Sequence, residues 1–189
     1  MKNKKGKTKK IKVVAVSGGF DPVHIGHIRL FEEAKKLGDK LMVILNNDNW
    51  LKKKKGYVFM PERERKEVIE ALRPVDMVFL TSHKKNPQDM SINAELKKLK
   101  PHIFANGGDR MQSNIPEVAV CDLIGCEMIF GVGKGGKIQS SSWLLKPHLK
   151  HFSIRDMSQF LQDKGTTTPG LRSRNGSFGG VSKVRRTRL

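Results

Sequence analysis

Cysteine is nearly absent: the 189 residues include only Cys121 and Cys126, close together around the end of an expected helix. Two thiols so placed make neither a disulfide framework nor, without further ligands nearby, a zinc site. Both are expected to be reduced and structural. No apolar run approaches the roughly 20 residues that cross a bilayer. The basic amino terminus leads into a short apolar stretch, Val13 to Val16, instead of the longer core of a signal peptide. A soluble, cytoplasmic chain is therefore expected, and no internal repeat is visible.

Acidic residues are scarce at the two ends. Lys2 to Lys12 holds seven lysines and no acid, while Lys150 to Leu189 holds nine basic residues and two acidic ones, so +14 of the net +19 lies outside the middle. The remaining stretch, Val13 to Leu149, has 21 basic and 16 acidic residues, ordinary for an enzyme of anionic substrates. The expected organisation is a basic disordered tail over 1–10 and one domain over 11–149. A possible amphipathic helix follows over 150–164, then a second basic tail over 165–189 rich in Gly, Ser, Thr and Arg. Polybasic tails bind polyanions with steep salt dependence. They either contact nucleic acid or anionic lipid, or are extensions that bind nothing in particular.

The apolar pattern between the tails alternates short strands with helices. Strands are expected at Ile11 to Val16, Leu41 to Leu45, Met77 to Leu80, His102 to Ala105 and Met128 to Phe130. Helices are expected around Ile28 to Leu37, from Pro61 to a stop at Pro74, over Ile92 to Leu99, and over Glu117 to Ile124 with Gly125 closing the last. Lys52 to Lys55 reads as a loop. This order predicts an α/β fold, a Rossmann-like doubly wound parallel sheet of five strands with flanking helices. Ligands of such sheets bind beyond the carboxyl ends of the strands.

Ser17 to Leu30, S-G-G-F-D-P-V-H-I-G-H-I-R-L, occupies the first such end. Gly18 and Gly19 let the backbone approach an anion, and the helix that follows offers unpaired N–H groups and the positive end of its dipole. His24 and His27, three apart, can present imidazoles to the same phosphates. The segment resembles the phosphate-binding signature of the nucleotidyltransferase superfamily of glycerol-3-phosphate and choline-phosphate cytidylyltransferases, heptose-phosphate adenylyltransferases and pantetheine-phosphate adenylyltransferases. His24, Ile25, Gly26 and His27 stand where that superfamily has H-x-G-H.

The resemblance implies a nucleotidyltransferase, covers about Ile11 to Leu145, and extends nucleotide binding to Phe20 and Asp21. Nucleotidyl transfer sets an acceptor phosphate in line with the α-phosphorus of a nucleoside triphosphate and releases pyrophosphate. It needs no protein nucleophile, only positioning and positive charge around oxygens that gain charge in the transition state. By resemblance His24 and His27 supply this. K-K-K-K-G resembles the K-x-x-K-G of heptose-phosphate adenylyltransferases, which favours Lys52 and Lys55 as phosphate ligands over a merely solvated lysine run. Arg65 aligns with the family's site arginine, with a helix-surface pair to Glu62 or to an acid further on as the alternative. Asn106, Gly107, Gly108 and Asp109 resemble the segment lining the nucleotide pocket, or form a plain turn. Ser140, Ser141 and Ser142 stand where the family has S-T-T or S-S-T at a helix start, although Ser140 can equally be a helix cap.

Gly131 to Gly136 also fits G-x-G-x-x-G, and with Lys137 nearly fits a P-loop, but Ile138 replaces the hydroxyl and such fingerprints open a fold after its first strand. Trp143, Leu144 and Leu145 follow the serines where transferases of pantetheine phosphate or nicotinate mononucleotide have an arginine, which argues against those acceptors. Cytidylyltransferases of the glycerol phosphate type have an arginine before the serines; Lys134 and Lys137 are its possible substitutes here. The expected reaction passes a nucleoside monophosphate from CTP, or less favourably ATP, to a small polyol or sugar phosphate. Mg²⁺ is expected to be carried by the triphosphate, with no metal ligand on the protein. The resemblance also implies a homodimer. The opposing reading is a protein of this fold that has lost catalysis and binds polyanions through its tails.

Overall fold

The computed structural model describes residues 10–108, 110–111, 115–133, 139–141 and 143–145, all within one compact unit. Asp109, Lys134, Lys137, Ser142, residues 1–9, the helix expected over 150–164 and the tail over 165–189 lie outside them.

Among the described residues ten elements follow one another: β1 (Val13–Gly18), α1 (Ile25–Lys35), β2 (Lys40–Leu45), α2 (Asp48–Lys55), α3 (Glu62–Glu70), β3 (Met77–Leu80), α4 (Asn93–Leu99), β4 (Ile103–Ala105), α5 (Val118–Ile124) and β5 (Glu127–Ile129). The strands form one five-stranded sheet in the order β3-β2-β1-β4-β5, all parallel. The expected doubly wound architecture is present. Strand order reverses between β1 and β4, and ligands of such sheets bind at that reversal.

The period of two along each strand divides the core between two faces. Val14, Val16, Leu41, Val43 and Leu45 pack with Phe31 and Ala34 of α1 and Ile69 of α3. Ala15, Met42, Ile44 and Phe104 pack with Leu96 of α4 and with Val120 and Cys121 of α5. Burial on both faces explains why β2 reads as an unbroken apolar run. Cys121 and Cys126 are buried free thiols, and burial pushes the Cys126 thiol up to about 12.

Two expectations are corrected. Lys52 to Lys55 is no loop: it is the last turn of α2. The Asn47 side chain accepts from Trp50 N–H at the start of that helix (3.0 Å), and Gly56 closes it in a left-handed conformation at φ 83°. Four lysines in the final turn lie at the negative end of the helix dipole, which favours them there. Pro61 precedes α3 with extended backbone instead of forming its first turn, and α3 ends at Glu70, before Pro74 comes into play.

Candidate active site

β1 ends on a loop that its own packing keeps glycine-rich. A Cβ on Gly18 would lie 2.8 Å from the Phe20 ring, and one on Gly19 would lie 2.7 Å from Leu51 of α2. Phe20 turns back at φ 47° so that its ring is buried beneath the loop, edge-on to His27 at 4.8 Å and to Phe31 at 5.1 Å. Close backbone approach is thus required by the fold itself as well as suited to an anion.

The two histidines open α1. His24 is its N-cap, and its Nδ1 accepts from Gly26 N–H (3.2 Å), while His27 Nδ1 accepts from His24 N–H (3.3 Å). A ring nitrogen that accepts carries no proton, so each neutral imidazole bears its proton on Nε2. The rings stack at 3.6 Å with 23° between their planes. Burial, then the neighbouring His24, then Lys55 hold the His27 imidazole down at about 3, and burial followed by Lys55 lowers His24. At neutral pH His27 is therefore an uncharged N–H donor. The positive charge expected of it from sequence resides instead in the lysines and arginines around it.

Beside this pair stands a wall of engaged charges. The Asp21 carboxylate is fully buried and accepts from Phe59 N–H (2.9 Å) and Met60 N–H (2.7 Å). Its main-chain carbonyl accepts from Lys55 Nζ (2.9 Å), and burial lowers the proton affinity of that ammonium. Arg65 is also fully buried. It donates to Met60 O (2.8 Å), Gly19 O (2.6 Å), Asn46 O (2.8 Å) and Asp48 Oδ1 (2.6 Å), joining the loop after β1 to the end of β2 and the start of α2. The roles expected of Asp21 and Arg65 are corrected accordingly: both carry the loop and neither lines the cleft. Glu62, the surface partner considered for Arg65, instead accepts from Asp48 N–H (2.7 Å).

Lys52 is corrected too. Two residues along a helix turn the side chain by about 200°, so Lys52 is exposed away from the cleft while Lys54 lines it with Lys55.

Across the cleft, Asn106 donates to Phe104 O (3.3 Å) and accepts from Arg110 (3.4 Å). Gly107 is confined, because an added Cβ would lie 2.8 Å from Val132 O and 2.9 Å from Leu30. Ser140 Oγ accepts from Trp143 N–H (3.3 Å), so the cap considered for it is made. Ser141 is buried and donates to Pro22 O (2.9 Å), tying this segment to the histidine loop.

These groups surround a cleft of about 340 Å³ at the carboxyl ends of β1 and β4. Of the residues expected at the site, Gly18, Gly19, Phe20, His24, His27, Lys55, Gly107, Ser140 and Ser141 line it. Arg29, Trp50, Lys54 and Arg110 line it as well and had not been singled out. The signal for Arg29 was its spacing of three from Gly26. For Trp50 and Lys54 it was their spacing of four, visible only once the lysine run is helical. Among the described residues no cluster of three or more His, Cys, Asp or Glu can hold a metal, and no helix is long and apolar enough to cross a membrane.

Residues 15–128 match the cytidylyltransferase-like family. Over 106 residues the chain is 41% identical to a protein named FAD synthase from Pyrococcus horikoshii, covering 56% of this chain and 68% of that one. Another FAD synthase, from Ferroglobus placidus, is 41% identical over 100 residues, 53% of this chain and 61% of its own length. The chain thus spans roughly two thirds of the length of these relatives. Among solved structures, the lipopolysaccharide core biosynthesis protein from Thermoplasma volcanium superposes with a TM-score of 0.53 at 25% identity, over 66% of this chain and 98% of that one.

Proposed function

The chain belongs to the cytidylyltransferase-like family, and on that premise we propose that it is a nucleotidyltransferase that moves AMP from ATP onto FMN, forming FAD and releasing pyrophosphate. An oxygen of the FMN phosphate bonds to the α-phosphorus of ATP. The bond from that phosphorus to the oxygen bridging to the β-phosphorus breaks, and its electron pair leaves with pyrophosphate. The name carried by the relatives favours ATP over CTP and a flavin phosphate over the polyol and sugar phosphates expected from sequence.

The observation that carries the reading is the His24–His27 pair. Main-chain N–H groups engage both Nδ1 atoms, so two fixed Nε2–H donors remain for oxygens whose charge grows as the P–O bond breaks. Their position is set before substrate arrives, by the stack, by the Phe20 edge and by the Arg65 clamp on the loop. Lys54 and Lys55 supply positive charge on one side, Arg29 and Arg110 elsewhere around the cleft. The lining donors are N–H, ammonium and guanidinium groups, which suit phosphate oxygens. A Mg²⁺ ion therefore fits as a passenger on the triphosphate, where it offsets phosphate charge.

The test is pyrophosphate release with ATP or CTP against FMN, glycerol 3-phosphate and sugar phosphates, with FAD identified by chromatography. ATP with FMN is expected to give the highest kcat/KM. Preference for CTP with a polyol or sugar phosphate would overturn the choice of substrates and leave the family intact.

A further inference from the structure

We propose that the cleft contains, on the β2 side of the His24–His27 pair, a subsite for a flat aromatic ring of the acceptor, with the Trp50 indole as its platform and Lys54 as its cation. The inference deepens the flavin reading above and rests on it.

Trp50 lies in the first turn of α2, only partly buried, and lines the cleft although the helix has an apolar core residue beside it in Leu51, which is fully buried. Two bonds hold it. Its backbone N–H donates to the Asn47 side chain (3.0 Å), and its indole Nε1–H donates to Met90 O (2.9 Å). With the polar edge anchored outside the cleft, the carbon edge reaches the histidine loop: a Cβ on Gly19 would lie 3.6 Å from Trp50 Cζ3. An aromatic ring held by its one donor, with carbon surface on a cleft, is arranged for stacking and leaves no indole hydrogen bond to lose when a ring lands on it.

Lys54 follows one helical turn later on the same side, so aromatic surface and positive charge occur together. The opposite wall differs. It includes Asn106, Gly107, Gly108 and Gly133, with the Arg110 guanidinium donating to Asn106 (3.4 Å), groups that suit the hydrogen-bonding edge and phosphates of a nucleotide and offer no aromatic ring. Two walls of different chemistry on either side of one phosphate-binding centre match a reaction with two ligands. The wall with the ring suits an acceptor that is itself a planar aromatic.

The experiment titrates FMN into the full chain with flavin fluorescence as the readout, for wild type, Trp50→Phe and Trp50→Leu, alongside FAD formation and the thermal shift produced by ATP. Trp50→Leu should weaken FMN binding and raise its KM about tenfold to a hundredfold. Trp50→Phe should recover most of that, and the ATP shift should stay as in wild type. Equal KM and binding for FMN in wild type and Trp50→Leu would overturn the subsite while leaving FAD formation standing. An ATP shift lost in parallel with FMN binding would overturn it as well, since the tryptophan would then serve only the fold. Trp50-dependent FMN binding without turnover would uphold the subsite and overturn the proposed reaction; no FMN binding by wild type overturns both.

Discussion

The two walls of the cleft are built on opposite plans. On the β2 side every buried charge is engaged by protein: Asp21 takes two main-chain N–H groups and Arg65 reaches four oxygens. On the β4 side Asn106 and Arg110, bonded to each other (3.4 Å), share the lining with Gly107, which is held to glycine by Val132 and Leu30. The first plan fixes where a loop sits by multiple charged bonds, each costly to leave unpaired. The second fixes part of its wall by steric closeness at Gly107 and by main-chain bonds, with Asn106 N–H donating to Ile129 O (2.7 Å) and Asn106 O accepting from Val132 N–H (3.0 Å). The histidine pair lines the same cleft, on the loop that Arg65 holds through Gly19 O.

If this division is right, removing the clamp should damage the fold and removing a donor should damage only the rate. Arg65→Ala would leave the Asp48 carboxylate and three carbonyls without their buried partner. The expected loss is about 3–5 kcal/mol of stability, read as a fall of roughly 10 °C in melting temperature. His27→Ala should instead fold normally and lose about a hundredfold to a thousandfold in kcat. An Arg65→Ala protein with wild-type melting and selectively lost kcat would return the arginine to the substrate. Next comes Gly107→Ala, where overpacking against Val132 O should cost about 1–3 kcal/mol. Circular dichroism melts would detect this, and an unchanged melt would mean that the wall yields.

The sheet and the histidine motif were legible in the sequence for a physical reason. Strands buried on both faces, such as Leu41 to Leu45, must be continuously apolar, and Gly18 and Gly19 announce a turn that tolerates no Cβ. What the residues of Asp21 and Arg65 do was not legible. An acid and an arginine near a phosphate site suit binding and scaffolding equally, and only tertiary contact over 38, 39 or 46 residues of sequence separation decides. The lysine run misled because lysine composition marks solvated loops, while the Asn47 cap that makes it a helix lies five residues earlier. The protonation state of His27 was likewise hidden, since it follows from burial.

That state has a consequence for acid stability. The folded imidazole is held near 3, against an ordinary value of 6.5, so between those values the unfolded chain binds the extra proton and the folded one does not. Stability contributed this way is intact above 6.5 and falls as the pH drops toward 3. His27→Gln, which cannot titrate, should flatten that limb of a denaturant-midpoint profile. Asp76, held down at about 2 chiefly by bonds from Lys35 and Lys40 and by Leu41 N–H against the opposing effect of burial, should still lose its own contribution between 3.8 and 2 in both proteins. Identical profiles from 6.5 to 3 for wild type and variant would show that the imidazole is not kept neutral by the fold.

The smallest expected effect tests the helical reading of the lysine run itself. Lys52 and Lys54 share composition, neighbours and charge, and a flexible loop would make them interchangeable. A helix sets them about 200° apart, with Lys54 on the cleft beside Trp50 and Lys52 in solvent. Lys54→Ala should therefore raise the KM for the phosphorylated substrates about tenfold, and Lys52→Ala should change KM less than about twofold and stability by under about 0.5 kcal/mol. Equal losses in the two variants would mean that charge near the cleft matters without direction, as in a solvated loop. An effect confined to Lys54 would tie the chemistry of this wall to the single turn of helix that Asn47 begins and Gly56 ends.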